Sequence, residues 1–165
     1  MCAFPQSPKK PKKPLSEDAM RMRLADLCAR TEQCTYDLRE KMLRGGMTPE
    51  QTERILEKLR EGRFLDDARF ARAYARDKAR FAGWGVMKIR RGLMAKRLPA
   101  DIISEGIEAI DRKEYIEALK QAALTKVRSL DMARRDDVQK LYRHLAARGY
   151  ETGLISKIVD FLRKD

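Results

Sequence analysis

One pattern of apolar residues returns three times along the chain, and that return constrains the fold more than any other feature. Leu38, Met42 and Leu43 are spaced i, i+4, i+5, and Thr52, Ile55, Leu56 and Leu59 are spaced i, i+3, i+4, i+7. These are stripes of period 3.6, the mark of helices with one buried face. Shifted by 51 residues, Leu38 falls on Ile89, Met42 on Leu93, Leu43 on Met94, Met47 on Leu98, Leu56 on Ile107 and Leu59 on Ile110. Shifted by 103, Leu38 falls on Leu141, Met42 on Leu145, Gly46 on Gly149, Met47 on Tyr150, Ile55 on Ile158 and Leu59 on Leu162. Each such pair of helices follows one more amphipathic segment, at 16–31, 66–82 and 113–130. The chain therefore reads as all-α, three tandem three-helix repeats or nine helices, over 16–65, 66–112 and 113–165. No run alternates with the period of two that a strand requires. A helical repeat cannot bury its apolar face alone, so neighbours must stack, and the expected shape is elongated and curved.

The stops and starts agree with this division. Gly45-Gly46 ends one helix, and Thr48-Pro49-Glu50-Gln51 opens the next with a capping residue, a proline at the first helical position and the glutamine of a capping box. Gly62 stops that helix, Asp66 and Asp67 suit the start of the following one, and Gly83-Trp84-Gly85 ends it. The eight methionines read as core filler. Trp84 is either a core anchor at a helix corner or an exposed platform, the anchor being favoured.

Charge decides the class of partner. The net charge is +12, from 37 basic and 25 acidic residues. Residues 16–65 balance to zero, whereas 1–15, 66–112 and 113–165 each carry +4. An excess of this kind calls for an acidic partner, nucleic acid or an acidic protein surface. Segment 1–15, with its Pro-Lys run, lacks any apolar period and reads as a disordered basic arm, either touching DNA or merely solvated. In helix 86–97, Lys88 and Arg91 lie opposite the stripe of Val86, Ile89 and Leu93, Arg90 and Arg97 flank the apolar edge, and Lys96 sits close to it. Lys140, Arg143 and Arg148 occupy the corresponding helix of the third repeat. These eight cations are the candidate partner and DNA contacts.

Catalytic constellations do not assemble from this sequence. The one histidine, His144, has no nucleophile and acid set around it, and no phosphate-binding glycine loop is written in the chain. Cys2, Cys28 and Cys34 lack the spacing of a zinc site and read as reduced thiols of a cytoplasmic protein. Asp66-Asp67 could hold Mg²⁺, but helix capping explains the pair more simply. The expectation is therefore no enzyme, no cofactor and no metal. No segment has the ~18 apolar residues of a membrane span.

Phe64-Leu65-Asp66-Asp67-Ala68-Arg69-Phe70-Ala71, Tyr74, Gly83-Trp84-Gly85 and the run from Ile89 to Leu93 resemble the central signature of the RecX family of bacterial recombination regulators. The resemblance extends over 16–165 and is most specific in the middle repeat. It implies a modular nine-helix, non-enzymatic protein that lodges in the groove of a RecA recombinase filament, and the chain is expected to act as a monomer. Such a protein blocks growth of the filament or promotes its disassembly, and so suppresses ATP turnover, strand exchange and co-protease action in the SOS response. It also implies weak contact with single- or double-stranded DNA. The chain departs from the family pattern where Lys96 is followed by Arg97 rather than glycine, and the third repeat lacks the Asp-Asp pair. The competing reading is an autonomous basic protein that coats DNA.

Overall fold

The computed structural model describes residues 15–163, so the Pro-Lys arm and Cys2 lie outside the described residues. Among those residues there are nine helices and no strand. They are α1 (Glu17–Arg30), α2 (Thr35–Arg44), α3 (Pro49–Glu61), α4 (Asp67–Arg80), α5 (Val86–Ala95), α6 (Ala100–Glu108), α7 (Arg112–Val127), α8 (Arg135–Ala147) and α9 (Thr152–Leu162). Sets of three form the repeats. Thr48 caps α3 through the full capping box with Gln51, and Asp66 caps α4 by accepting from the amides of Ala68 and Arg69.

The turn after the second helix of each repeat needs one residue with positive φ. Gly46 (φ 86°) and Gly149 (φ 88°) supply it in the first and third repeats. In the second, Arg97 adopts the same left-handed conformation at φ 55°. A residue with a Cβ pays about 1–2 kcal/mol there. The turn thus keeps its geometry despite the departure from glycine, and Arg97 lays its guanidinium over the Tyr36 ring, 5.1 Å from the centroid.

The apolar stripes gather into two cores rather than three. One is built from α1–α3 and includes Met20, Leu24, Leu38, Met42, Ile55, Leu56 and Leu59. The other runs continuously through α4–α9, from Phe70 and Ile89 to Leu141 and Ile155, and takes in Cys34 from the first repeat. Not every stripe residue is interior. Leu43 and Met94, which extend the stripes in sequence, are exposed, as are Met22 and Met87. The reading of the methionines as core filler therefore holds for Met20, Met42 and Met47 but not for these three. Helices α4 and α6 approach closely because Gly106 lies against the Ala71 backbone, where an added Cβ would sit 2.9 Å from the carbonyl oxygen. The equivalent residue of the third repeat is Ile158, and there α9 packs chiefly on α8 rather than on α7.

Each repeat is capped by the next. The second helices of the first two repeats start at Cys34 and Gly85, and neither has a side-chain cap of its own. The Thr35 amide instead donates to Asp67 Oδ1 at 2.7 Å, and the equivalent Val86 amide donates to the Tyr115 hydroxyl at 3.0 Å. Both acceptors come from the first helix of the following repeat. An orphan amide at a helix start is thereby satisfied across the boundary, which fixes how one repeat stacks on the next.

Candidate partner and nucleic-acid interface

The boundary between the second and third repeats places the signature residues together. The Gly85 amide donates to the Arg148 carbonyl at 2.8 Å, and the Met87 amide to the Gly149 carbonyl at 2.9 Å. The two backbones are so close that a Cβ on Gly85 would fall 2.1 Å from the Gly149 carbonyl carbon. Tyr115 locks the same corner: its hydroxyl donates to the Glu151 carboxylate while accepting from Val86, and burial with that carboxylate pushes its pKa well up. Trp84 sits here half-buried, with Lys88 Nζ 4.4 Å and Lys78 Nζ 5.1 Å from its ring centroid. It is neither a fully buried anchor nor an exposed platform. Both flanking lysines come from helices that end or begin at this corner, Lys78 from α4 and Lys88 from α5.

The remaining signature residues organise the first boundary. Asp66 and Asp67 are both helix caps, one for α4 and one for α2. Arg69 Nε donates to Glu32 at 2.6 Å, and its terminal nitrogens donate to the carbonyls of Arg63 and Phe64, closing the loop before α4. Leu65 and Phe70 are buried, and the Phe70 ring tilts on Tyr74 at 5.7 Å between centroids. Tyr74 in turn rests its hydroxyl against Gly92, a position where a Cβ would meet it at 2.4 Å. Gly83, by contrast, belongs to the second boundary, where it takes φ 59° just after α4 and lies against Arg148.

The eight predicted contact cations separate into three kinds. Lys96 is committed to Asp37, with Nζ 2.7 and 2.9 Å from its oxygens, and Arg97 to Tyr36; both hold the second repeat to the first. The hydrogen bond to Asp37 holds the Lys96 ammonium above its usual pKa. Lys88 and Arg148 belong to the second boundary, Lys88 packing its stem against Gly149 and over Trp84, Arg148 reaching toward His144 at 3.3 Å. Lys88 is thus not on the outer face that the helical wheel assigns it, because the third repeat stacks against that side. Lys140 pairs with Asp137 at 2.7 Å but remains open to solvent. Arg90 is half-exposed, and Arg91 and Arg143 are exposed. Arg91 and Arg143 stand at one position of the repeat, where the first repeat has Glu40. The sequence reading did not single out Arg80, Phe81, Lys113 or Lys126, which share a groove with His144 and Arg148. Its signal was present: Phe81 lies off the apolar stripe of its helix, next to an arginine.

Cys28 and Cys34 are buried thiols, and burial pushes the Cys34 pKa up to about 11, which keeps it protonated and inert. Among the described residues no cluster of His, Cys, Asp and Glu has the arrangement of a metal site, and no helix is long and apolar enough to cross a membrane.

These features define a class, the all-α tandem-repeat proteins whose later repeats carry a basic outer surface. The model of the second three-helix domain of RecX matches residues 66–107. A regulatory protein RecX of Prosthecochloris aestuarii is 33% identical over 133 residues, covering 79% of this chain and 85% of that protein. One from Vibrio parahaemolyticus is 27% identical, covering 84% and 88%. The chain belongs to the RecX family of regulatory proteins. It spans 58% of the length of a relative from Clostridium botulinum, at 31% identity. The crystal structure of RecX from Lactobacillus salivarius superposes with a TM-score of 0.78 over 90% of this chain and 97% of that one, at 16% identity. A second RecX crystal structure gives 0.75 over 87% and 71%, at 23% identity. At such identities the likeness is one of fold.

Proposed function

We propose that this protein is a non-enzymatic regulator of homologous recombination that binds a RecA-type recombinase filament in its groove and inhibits or disassembles it. Membership of the RecX family is the observation that carries this reading. The three repeats then act as one body, of repeats 16–65, 66–112 and 113–165, working as a monomer in the cytoplasm. Arg91 and Arg143, exposed at one repeat position and without an acidic partner among the described residues, are the contacts best suited to an acidic filament surface. DNA contact through these side chains is electrostatic and weak, and falls steeply with salt.

The test is ATP turnover by a recombinase on single-stranded DNA, titrated with this protein. Inhibition well below the concentration that saturates the DNA is expected. Inhibition only at saturation would establish the DNA-coating reading instead. Reversing both signs in Arg91→Glu with Arg143→Glu turns attraction into repulsion at an acidic interface. It should weaken inhibition by at least about tenfold while melting is unchanged, since exposed charges move stability by only about 0.5 kcal/mol. Glu57→Lys, exposed on the first repeat, should leave inhibition intact.

A further inference from the structure

We propose that the groove between the end of α4, the length of α7 and α8 binds single-stranded nucleic acid, with Phe81 as the platform on which a base stacks. The site is separate from the Arg91 and Arg143 positions and does not depend on the filament reading. Phe81 follows the last residue of α4 and is 77% exposed, more than any other large apolar side chain among the described residues. The fold makes no use of it, since α4 buries Phe70, Ala71, Ala75 and Ala79 instead. An aromatic ring held in water at a helix end is a cost that a ligand can relieve.

The surroundings specify that ligand. The groove encloses about 1070 Å³, and four permanent cations line it: Arg80, Lys113, Lys126 and Arg148. Two acids, Glu114 and Glu117, face them, and Glu114 lies 3.9 Å from Arg80. The Arg80 guanidinium sits 5.5 Å from the Phe81 ring centroid, so phosphate recognition and base stacking are supplied side by side. His144 opens on the same groove. Burial first, then Arg148 and Lys126, hold it below its usual pKa, and its Nε2 accepts from Arg148 Nε at 3.3 Å. Lys113 and Lys126 stand at opposite ends of α7, about 20 Å apart at 1.5 Å per residue. That span exceeds a mononucleotide and suits a strand several nucleotides long. The walls between them, Ala118, Gln121, Ala122 and Thr125, are small or polar and leave the groove open along the length of α7. In a duplex the base faces are already stacked, so Phe81 selects single strands.

The experiment measures binding of the full chain to a labelled oligothymidylate of about 20 nucleotides, longer than a typical single-strand site, and to a duplex of equal length. Phe81→Ala should weaken single-strand binding about tenfold, the usual consequence of removing one base-stacking ring, and change duplex binding less than about twofold. Phe81→Tyr should bind as the parent does. Phe81→Trp should add a fluorescence signal, absent from the parent with its Trp84, that is quenched as the single strand is titrated. Equal losses for single strand and duplex, or none, would overturn the proposal. So would displacement of the oligonucleotide by stoichiometric ATP, which would make the groove a mononucleotide site. Loss of filament inhibition by Phe81→Ala with single-strand affinity intact would reassign Phe81 to a protein contact.

Discussion

Asp66 and Asp67 are identical neighbours that serve different helices. Asp66 accepts from the amides of its own helix, while Asp67 turns back and accepts from Thr35 at the start of α2. A Ser, Thr, Asn or Asp cap is worth about 1 kcal/mol against alanine. Asp66→Ala and Asp67→Ala should therefore destabilise the protein by similar amounts in urea titrations, yet differ in where they act. Amide hydrogen exchange should quicken at Ala68 and Arg69 in the first variant and at Thr35 in the second. Asp67→Asn, which keeps an acceptor, should restore most of the protection at Thr35. Arg97 illustrates the opposite case of a residue whose neighbours override its preference. Tyr36 under its guanidinium and the repeat's own turn hold it left-handed where the other repeats use glycine.

At the scale of the helices, packing distance is set by what a side chain is not allowed to add. Gly85 lets the start of α5 touch the turn after α8, and Gly106 lets α6 touch α4. A methyl group at either place meets backbone that cannot swing aside, in contrast to the tip of a flexible side chain. Forcing atoms into such contacts costs about 1–3 kcal/mol and sometimes more. Gly85→Ala should stand at or beyond the upper end, because its Cβ would lie 2.1 Å from the carbonyl carbon of Gly149. Gly106→Ala should cost less, its closest approach being 2.9 Å. Gly153, in the first turn of α9, has no atom within 4 Å of an added Cβ. Gly153→Ala should be neutral or raise stability by up to about 1 kcal/mol through the higher helix propensity of alanine. Thermal denaturation of the three variants tests the order.

The molecule as a whole divides unevenly. The second and third repeats share one apolar core, but the first has its own, and the surface between it and the second is rich in charge: Lys96 with Asp37, Arg69 with Glu32, and Asp67 on the Thr35 amide. These ion pairs are partly exposed, so salt screens them far more than it does a buried core. Native-state hydrogen exchange should show α1–α3 opening as a unit before α4–α9. Raising salt, or removing the pair in Asp37→Ala with Lys96→Ala, should widen the gap. A single opening free energy for all nine helices would mean that the two cores are energetically one.

The period of the apolar stripes was enough, by itself, to determine nine helices in three repeats, because a helix buries one face whatever it packs against. The capping box at Thr48, the cap at Asp66 and the breaks at Gly46 and Gly62 were legible for a similar reason: they act within one turn of chain. Side-chain roles that cross a repeat boundary were not legible. Helical spacing placed Lys88 outward and Lys96 among the contacts, yet one meets the third repeat and the other is bound to Asp37, 59 residues away. Nothing local distinguishes Asp67 from Asp66, or Tyr115 from any other buried tyrosine, until the next repeat brings an uncapped amide to each. The groove around Phe81 joins residues from α4, α7 and α8, so Arg80 and Phe81 meet Lys113, Lys126 and Arg148 only when the third repeat stacks on the second. Local spacing determines which face of a helix is apolar; only the stacking of one repeat on the next decides which of its charges are left free to meet a partner.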